Sequence, residues 1–271
     1  MTILLLILLS AFLNQVSSGP SNESISFNFP SFNTESCRTG SLICHGAVTA
    51  YNGYLSLTSE PLPASNSTAL PLDEVGRVLY HQPVLAWPAS ITTVFTIKIS
   101  EYPNSPGSGD GMAFLFVPDD QPPTVISYGS YLGIMDKFTE ASGKLEQLAV
   151  ELDTYKNDFD PDGNHVGIDT TSVREPVVAM SLNSTGVDLK SGGEITVRID
   201  YDGWMKSLNV YVSYSGSPLQ NILRQQINMS DIVPTSVYVG FSAATGAFSE
   251  SHRLLNWAFI TKPLPSYSLT K

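Results

Sequence analysis

Apolar residues along this chain fall in short runs, and turn residues interrupt them every few positions. Ile195, Val197 and Ile199 alternate with Thr196, Arg198 and Asp200, the period of two expected of a strand with one wet face. Similar β-rich runs occupy Ile25–Phe29, Tyr54–Leu57, Ile91–Ile99, Gly111–Val117 and Leu148–Tyr155. The series continues with Val177–Leu182, Ile195–Tyr201, Leu208–Tyr214, Val237–Ser242 and Leu254–Thr261. Pro103–Gly109, Pro118–Pro123, Ser191-Gly192-Gly193 and Tyr201-Asp202-Gly203 supply the breaks. A turn of helix is expected at Leu219–Gln226; helical spacing is otherwise nearly absent. Many strands at this spacing predict an all-β sandwich or barrel. With neither an internal repeat nor a linker, one domain is the simplest organisation.

Ile3 to Leu13 form an apolar run too short to span a bilayer, followed by the small residues Val16-Ser17-Ser18. This predicts a secretory signal over residues 1–18 and a single domain over 19–271. The formal charge is −11 with 14 Lys plus Arg, and no basic cluster stands out. Nucleic acid is therefore not an expected partner, and no later stretch has the length and apolarity of a membrane span. Asn22, Asn66, Asn183 and Asn228 open N-glycosylation sequons. In an oxidising compartment Cys37 and Cys44 are expected to form one disulfide across a short loop, contributing about 2 kcal/mol.

The segment Ala149–Asp169 carries the densest chemistry. Its first half is strand-like, so Glu151, Asp153, Tyr155 and Asn157 are expected to share a face, with Asp158, Asp160, Asp162 and His165 following in a loop. So many oxygen ligands in one place repel each other unless a cation sits among them. Carboxylates and an amide oxygen suit Ca²⁺, and an added imidazole moves a neighbouring site towards a transition metal such as Mn²⁺. Asp158, Asp160, Asp162, Gly163 and Asp169 also fit a helix–loop–helix calcium loop. That motif needs flanking helices, and the flanks here have strand character. Two further segments bear on binding. Glycines on both sides of Asp110 permit backbone shapes that other residues resist. Between Gly240 and Phe259, a small-residue loop at Thr245-Gly246-Ala247 joins two strand-like runs and offers main-chain N–H groups.

These three segments, in this order, resemble the legume (L-type) lectin family of plants. Gly76-Arg77-Val78-Leu79-Tyr80 with Pro83 and Trp87, and Tyr131-Leu132-Gly133, add to the likeness, which runs from about Ile25 to Lys262. The resemblance implies a jelly-roll sandwich with a flat back sheet, a curved front sheet and metal-bearing loops, and binding of glycans or glycoproteins without catalysis. It implies Ca²⁺ held by Asp153, the Tyr155 carbonyl, Asn157 and Asp160, and Mn²⁺ held by Glu151, Asp153, Asp160 and His165. Asp158 and Asp162 have no ligand role in that pattern. It also implies a cis peptide before Asp110, and a sugar pocket in which Asp110 accepts and Asn157 donates hydrogen bonds beneath the Tyr155 ring. Ser130 stands where the family usually has a glycine whose N–H meets the sugar, so the added side chain narrows the pocket. The Thr245–His252 loop matches the short loop of mannose/glucose binders, with the Ala247 and Phe248 N–H groups facing the sugar.

Carbohydrate hydrolysis would need two free carboxylates across a cleft, and the acids here are better used as metal ligands. The same module also forms the ectodomain of plant lectin receptor kinases. An ectodomain-like fragment or soluble homologue acting in recognition is thus the alternative to a free lectin. Either implies secretion to the apoplast or cell surface. The family's habit of pairing back sheets makes a homodimer a further expectation, suited to the alternating strand 24–29 unless a glycan at Asn22 covers that edge.

Overall fold

The computed structural model describes residues 24–60, 70–140 and 142–265. Among the described residues, sixteen strands run in chain order as β1 (Ile25–Phe29), β2 (Leu42–Gly46), β3 (Thr49–Tyr51), β4 (Tyr54–Ser56), β5 (Val75–Tyr80), β6 (Val84–Leu85), β7 (Ala89–Glu101) and β8 (Gly111–Val117). They continue as β9 (Leu148–Asp153), β10 (His165–Asp169), β11 (Val178–Ser181), β12 (Ile195–Asp202), β13 (Ser207–Tyr214), β14 (Gln220–Gln226), β15 (Ser236–Ala244) and β16 (Glu250–Pro263). They form two eight-stranded sheets. The back sheet has the order β14-β13-β12-β7-β16-β4-β3, with β1 also on β16. The front sheet has the order β11-β10-β9-β8-β15-β5-β2, with β6 also on β15. Neighbouring strands in both are antiparallel. The long strands β7 and β16 pair from Ala89–Pro263 to Glu101–Glu250 and form the spine of the back sheet.

The facing sides of the sheets make the main core. In β12, Ile195, Val197, Ile199 and Tyr201 are buried, while Arg198 and Asp202 are exposed, as the alternation predicted. At its centre Phe241 lies 4.8 Å from Phe95, 5.2 Å from Phe114 and 5.0 Å from Trp257 between ring centroids, all edge-on. Each such ring contributes roughly 1.5–3 kcal/mol by burial and more from the edge-to-face geometry.

A second core lies on the outer face of the front sheet. Leu79, Ala113, Leu115 and Ala149 pack there under Leu132, Ile134 and Met135 of the 118–147 connection. Strands β8, β9 and β10 are therefore buried on both faces along their whole length, which accounts for the unbroken apolar run of β8. Arg77 fastens this connection, donating from Nη1 to the Gln121 carbonyl at 3.1 Å and from Nη2 to the Gly133 carbonyl at 2.6 Å.

Two expectations are corrected. Leu219–Gln226 is not helical: Gln220–Gln226 is an edge strand laddered onto β13. The strand expected to reach Tyr155 stops at Asp153, because Asp153 Oδ1 accepts the Tyr155 N–H at 2.8 Å and turns the chain out of the sheet. Tyr155 and Asn157 therefore leave the strand geometry that would have aligned them with Glu151 and Asp153. The flanks of the 154–164 loop are strands β9 and β10, so the helix–loop–helix calcium reading fails on its structural requirement. Cys37 and Cys44 are bonded, with an S–S distance of 2.07 Å. The expected signal segment and the sequons at Asn22 and Asn66 lie outside the described residues. Asn183 is exposed and Asn228 half-buried. No helix among the described residues is long and apolar enough to cross a membrane.

Candidate functional site

Strand pairing assembles the acidic cluster. Asp153 on β9 is opposite His165 on β10, and Glu151 is opposite Gly167, so Glu151, Asp153 and His165 project from one face. Their ligand atoms all lie within 4.8 Å of one another. His165 Nε2 is 3.3 Å from Glu151 Oε1, and Nδ1 is 3.9 Å from Asp153 Oδ1. Gly167 is required beneath them, because a Cβ there would lie 2.0 Å from Glu151 Oε1. Asp160 comes from the loop, where its Oδ2 accepts the Asn157 N–H at 2.7 Å.

Asp162 holds the scaffold. Its carbonyl lies 2.7 Å from His165 Nδ1, its Oδ1 accepts the Asn164 N–H, and its Oδ2 accepts from Asn183 Nδ2. A carbonyl bond at one ring nitrogen fixes the imidazole orientation and leaves the other nitrogen towards the cluster. Asp158 is exposed and joins none of these contacts.

The electrostatics of this group point to a cation. Burial, then the charges of Glu151 and Asp160, push the Asp153 carboxyl well above its usual range. Asp160 is also raised, first by burial. Burial lowers His165, but hydrogen bonding to Glu151 and its charge outweigh this and leave the imidazole raised. The Asn157 Oδ1 atom is buried and accepts no hydrogen bond, an unmet demand that a hard cation satisfies. The residues thus fit a divalent metal centre in donor type and spacing, and Asp153 is placed next to both the carboxylate–imidazole group and the loop.

The six residues expected to meet a sugar line one cleft of about 370 Å³: Asp110, Ser130, Tyr155, Asn157, Ala247 and Phe248. Asp73 also faces this cleft. Asp110 is fixed through its backbone, donating to the Ala244 carbonyl at 3.1 Å and accepting from the Thr154 N–H at 3.0 Å. The Gly109–Asp110 peptide is cis, as the resemblance implies. Gly246 lets the 245–252 loop approach: a Cβ there would meet Asp110 Oδ2 at 2.5 Å. Gly129, at φ +63°, donates its N–H to the Thr245 carbonyl and is committed to the frame rather than to the cleft. Burial, then the charges of Glu250, Asp73 and Asp160, push the Asp110 carboxyl up to about 7.

Two buried acids have no role in the lectin-like reading of the sequence, Asp169 entering only through the rejected helix–loop–helix alternative. Asp169 is fully buried, with neither carboxylate oxygen hydrogen-bonded. Burial, then the charge of Glu151, push its carboxyl well above the usual range. Its position two residues beyond Gly167 on the same strand face was the available signal. Glu250 is also fully buried. It takes hydrogen bonds from Ser108 and Thr154 and lies 2.8 Å from His252 Nε2, whose Nδ1 is 2.9 Å from Thr58 Oγ1. Glu250 thereby joins the segment before Asp110 to the segment after Asp153. Glu250→Ala is expected to cost about 3 kcal/mol or more, since it strands buried hydroxyls and an imidazole. Thermal unfolding should show the loss, and Glu250→Gln should recover part of it; an Ala variant as stable as the parent would remove this clamp.

Comparison with known proteins agrees with the fold. The legume lectin domain model matches residues 24–270. Lectin 1 of Medicago truncatula is 34% identical over 247 residues, covering 88% of this chain and 82% of that protein. The 2-acetamido-2-deoxy-D-galactose-binding seed lectin 2 of Cytisus scoparius is 33% identical, covering 89% and 98%. A probable L-type lectin-domain containing receptor kinase, S.5, of Arabidopsis thaliana is 32% identical over 87% of this chain, which spans 36% of that protein's length. Among solved structures, the Bauhinia forficata lectin in complex with GalNAc superposes with a TM-score of 0.74 at 28% identity, covering 88% of this chain and 98% of that one. A two-sheet sandwich whose front sheet carries an acid–imidazole cluster beside a shallow cleft defines a lectin-type binding module. This chain belongs to the legume lectin domain family.

Proposed function

We propose that this protein is a secreted, non-catalytic lectin that binds hexose-containing glycans in the Asp110 cleft and needs Ca²⁺ and Mn²⁺ to do so. One observation carries this reading: Asp110, Asn157 and Tyr155 share a cleft immediately beside the Glu151–Asp153–His165 group. Asp110 accepts hydrogen bonds from sugar hydroxyls, and Asn157 Nδ2 donates to one of them. The Tyr155 ring covers the sugar's apolar face. Ser130, Ala247 and Phe248 supply main-chain N–H groups. Glu151, Asp153, Asp160 and His165 would hold Mn²⁺; Asp153, the Tyr155 carbonyl, Asn157 and Asp160 would hold Ca²⁺. Bound there, the two cations neutralise the carboxylates and fix the loop that carries Tyr155 and Asn157.

The short Thr245–His252 loop favours mannose or glucose. A second specificity, for galactose or GalNAc, is favoured by the relative named for binding 2-acetamido-2-deoxy-D-galactose and by the neighbour solved with GalNAc. The match to a receptor kinase also supports a role as a recognition ectodomain. In either setting the module works outside the cell, with Asn22, Asn66, Asn183 and Asn228 as glycan acceptors. A homodimer through the back sheets is part of the same proposal.

A glycan array probed with and without Ca²⁺ and Mn²⁺ tests this reading. Binding to terminal mannose or glucose that depends on the metals is expected. Binding confined to terminal galactose or GalNAc would select the second specificity, and an unchanged signal after exhaustive metal removal would overturn metal dependence.

A further inference from the structure

A second cleft, of about 720 Å³, adjoins the Asp110 cleft. The two share Tyr155 and Phe248. Those rings lie 5.5 Å apart, and Phe248 is seated on Gly107, where a Cβ would come within 3.2 Å of the ring. Tyr155 and Phe248 therefore form an aromatic ridge between two openings. A ligand long enough to cross the ridge would occupy both.

The two sides differ in charge. The charged side chains of the Asp110 cleft are Asp73 and Asp110, whereas those of the larger cleft are Lys156, Lys190 and Asp188. A pair of ammonium groups is notable in a chain of net charge −11. Lys190 is held in place, since its Nζ donates to the Thr154 carbonyl at 2.8 Å; Lys156 is exposed. The wall beneath is rigid as well. Asn164 Nδ2 donates to the Val187 carbonyl at 2.9 Å, and its Oδ1 accepts the Leu189 N–H at 3.0 Å. A fixed cation on a rigid wall loses little conformational freedom on binding, and its hydrogen bonds to a carboxylate are of the strong, charge-assisted kind.

We propose that the larger cleft binds a second, anionic sugar unit, a hexuronic acid, linked to the hexose in the Asp110 cleft across the Tyr155–Phe248 ridge. This inference rests on the sugar reading of the Asp110 cleft. Lys156 and Lys190 receive the uronate carboxylate, and Phe248 covers the linkage. The preferred ligand is then an acidic oligosaccharide rather than a neutral one.

The test is titration calorimetry on the full chain with Ca²⁺ and Mn²⁺. The protein is first deglycosylated, because Asn183, at the cleft's edge, lies in a sequon. Methyl glycosides of mannose, glucose, galactose and GalNAc identify the best single unit. That unit is then offered linked to glucuronic acid and, separately, to glucose. The glucuronyl disaccharide is expected to bind about tenfold more tightly than the glucosyl one, with the advantage shrinking at high salt. Lys156→Glu, or the milder Lys156→Gln, should erase most of that advantage and leave the methyl glycoside's affinity unchanged. Equal affinity for the two disaccharides, or an acid preference that survives in both variants, overturns this inference alone. Failure of every methyl glycoside to bind overturns the sugar reading and this inference with it.

Discussion

Stripped of metal by a chelator, this protein is expected to lose stability as the pH rises from about 4 to about 7, the reverse of the usual carboxylate behaviour. Asp110 is pushed from 3.8 to about 7, and Asp153 and Asp169 are raised well above 3.8. In the unfolded chain the same groups ionise near their ordinary values. The metal-free fold thus binds more protons than the unfolded chain across this window. Stability is fully present below the unfolded value and is lost as pH climbs through the folded one. His165, also raised, acts in the same direction. For Asp110 alone the change corresponds to roughly 4 kcal/mol at neutral pH, or about 10 °C in melting temperature for a domain of this size. Returning Ca²⁺ and Mn²⁺ should restore the melting temperature, most strongly at the high end of the window. The sugar signal should return with it. Thermal unfolding in chelator at several pH values reads this directly, and a melting temperature that rises with pH in chelator would contradict it.

Asp110→Asn should separate binding from folding. The carboxylate is nearly buried, pinned through its backbone and aimed into the cleft. Replacing one partner of buried, charge-assisted hydrogen bonds costs about 2 kcal/mol or more, so sugar affinity should fall by about 30-fold or further. The amide is nearly the same size and carries no charge. It removes the repulsion that Glu250, Asp73 and Asp160 exert at this position. The metal-free variant is therefore expected to melt at or above the parent's temperature at pH 7. Calorimetry against the best methyl glycoside and thermal unfolding give the two readouts. An Asn variant that binds with unchanged affinity would move the sugar site away from Asp110.

The sequence shows its periodicity most reliably where one sheet face is wet. The alternation of Ile195, Val197 and Ile199 with polar residues appears unchanged in β12. The edge strand β14 is not legible in the sequence, because Leu219, Ile222 and Leu223 are spaced like a helix face. Pairing with β13 overrides that local preference, and within β14 only Leu223 is deeply buried. The end of β9 is equally hidden, because an Asp153 side-chain bond to the Tyr155 N–H ends the strand and composition does not register it.

By itself the sequence determined which residues would gather into one acidic, metal-compatible cluster. Glu151, Asp153, Asn157, Asp160 and His165 lie within a span short enough for one hairpin-like unit to collect them, and their oxygen-rich, like-charged composition has few other stable uses. It also determined the strand-rich class, through period-two alternation. Only the tertiary structure decided what surrounds that cluster. Asp110 and Phe248 are far apart in the chain and meet because β8 pairs with β15, Gly111 opposite Ala244, while the 118–147 connection crosses the outer face of the front sheet and carries Ser130 to the same end. Glu250 joins two of those connections from a position some 96 residues beyond Thr154. The Lys156–Lys190 cleft likewise exists only once the 183–190 turn folds against the 154–164 loop. Contacts at such separations depend on strand order and register, which long-range pairing fixes and local composition does not encode.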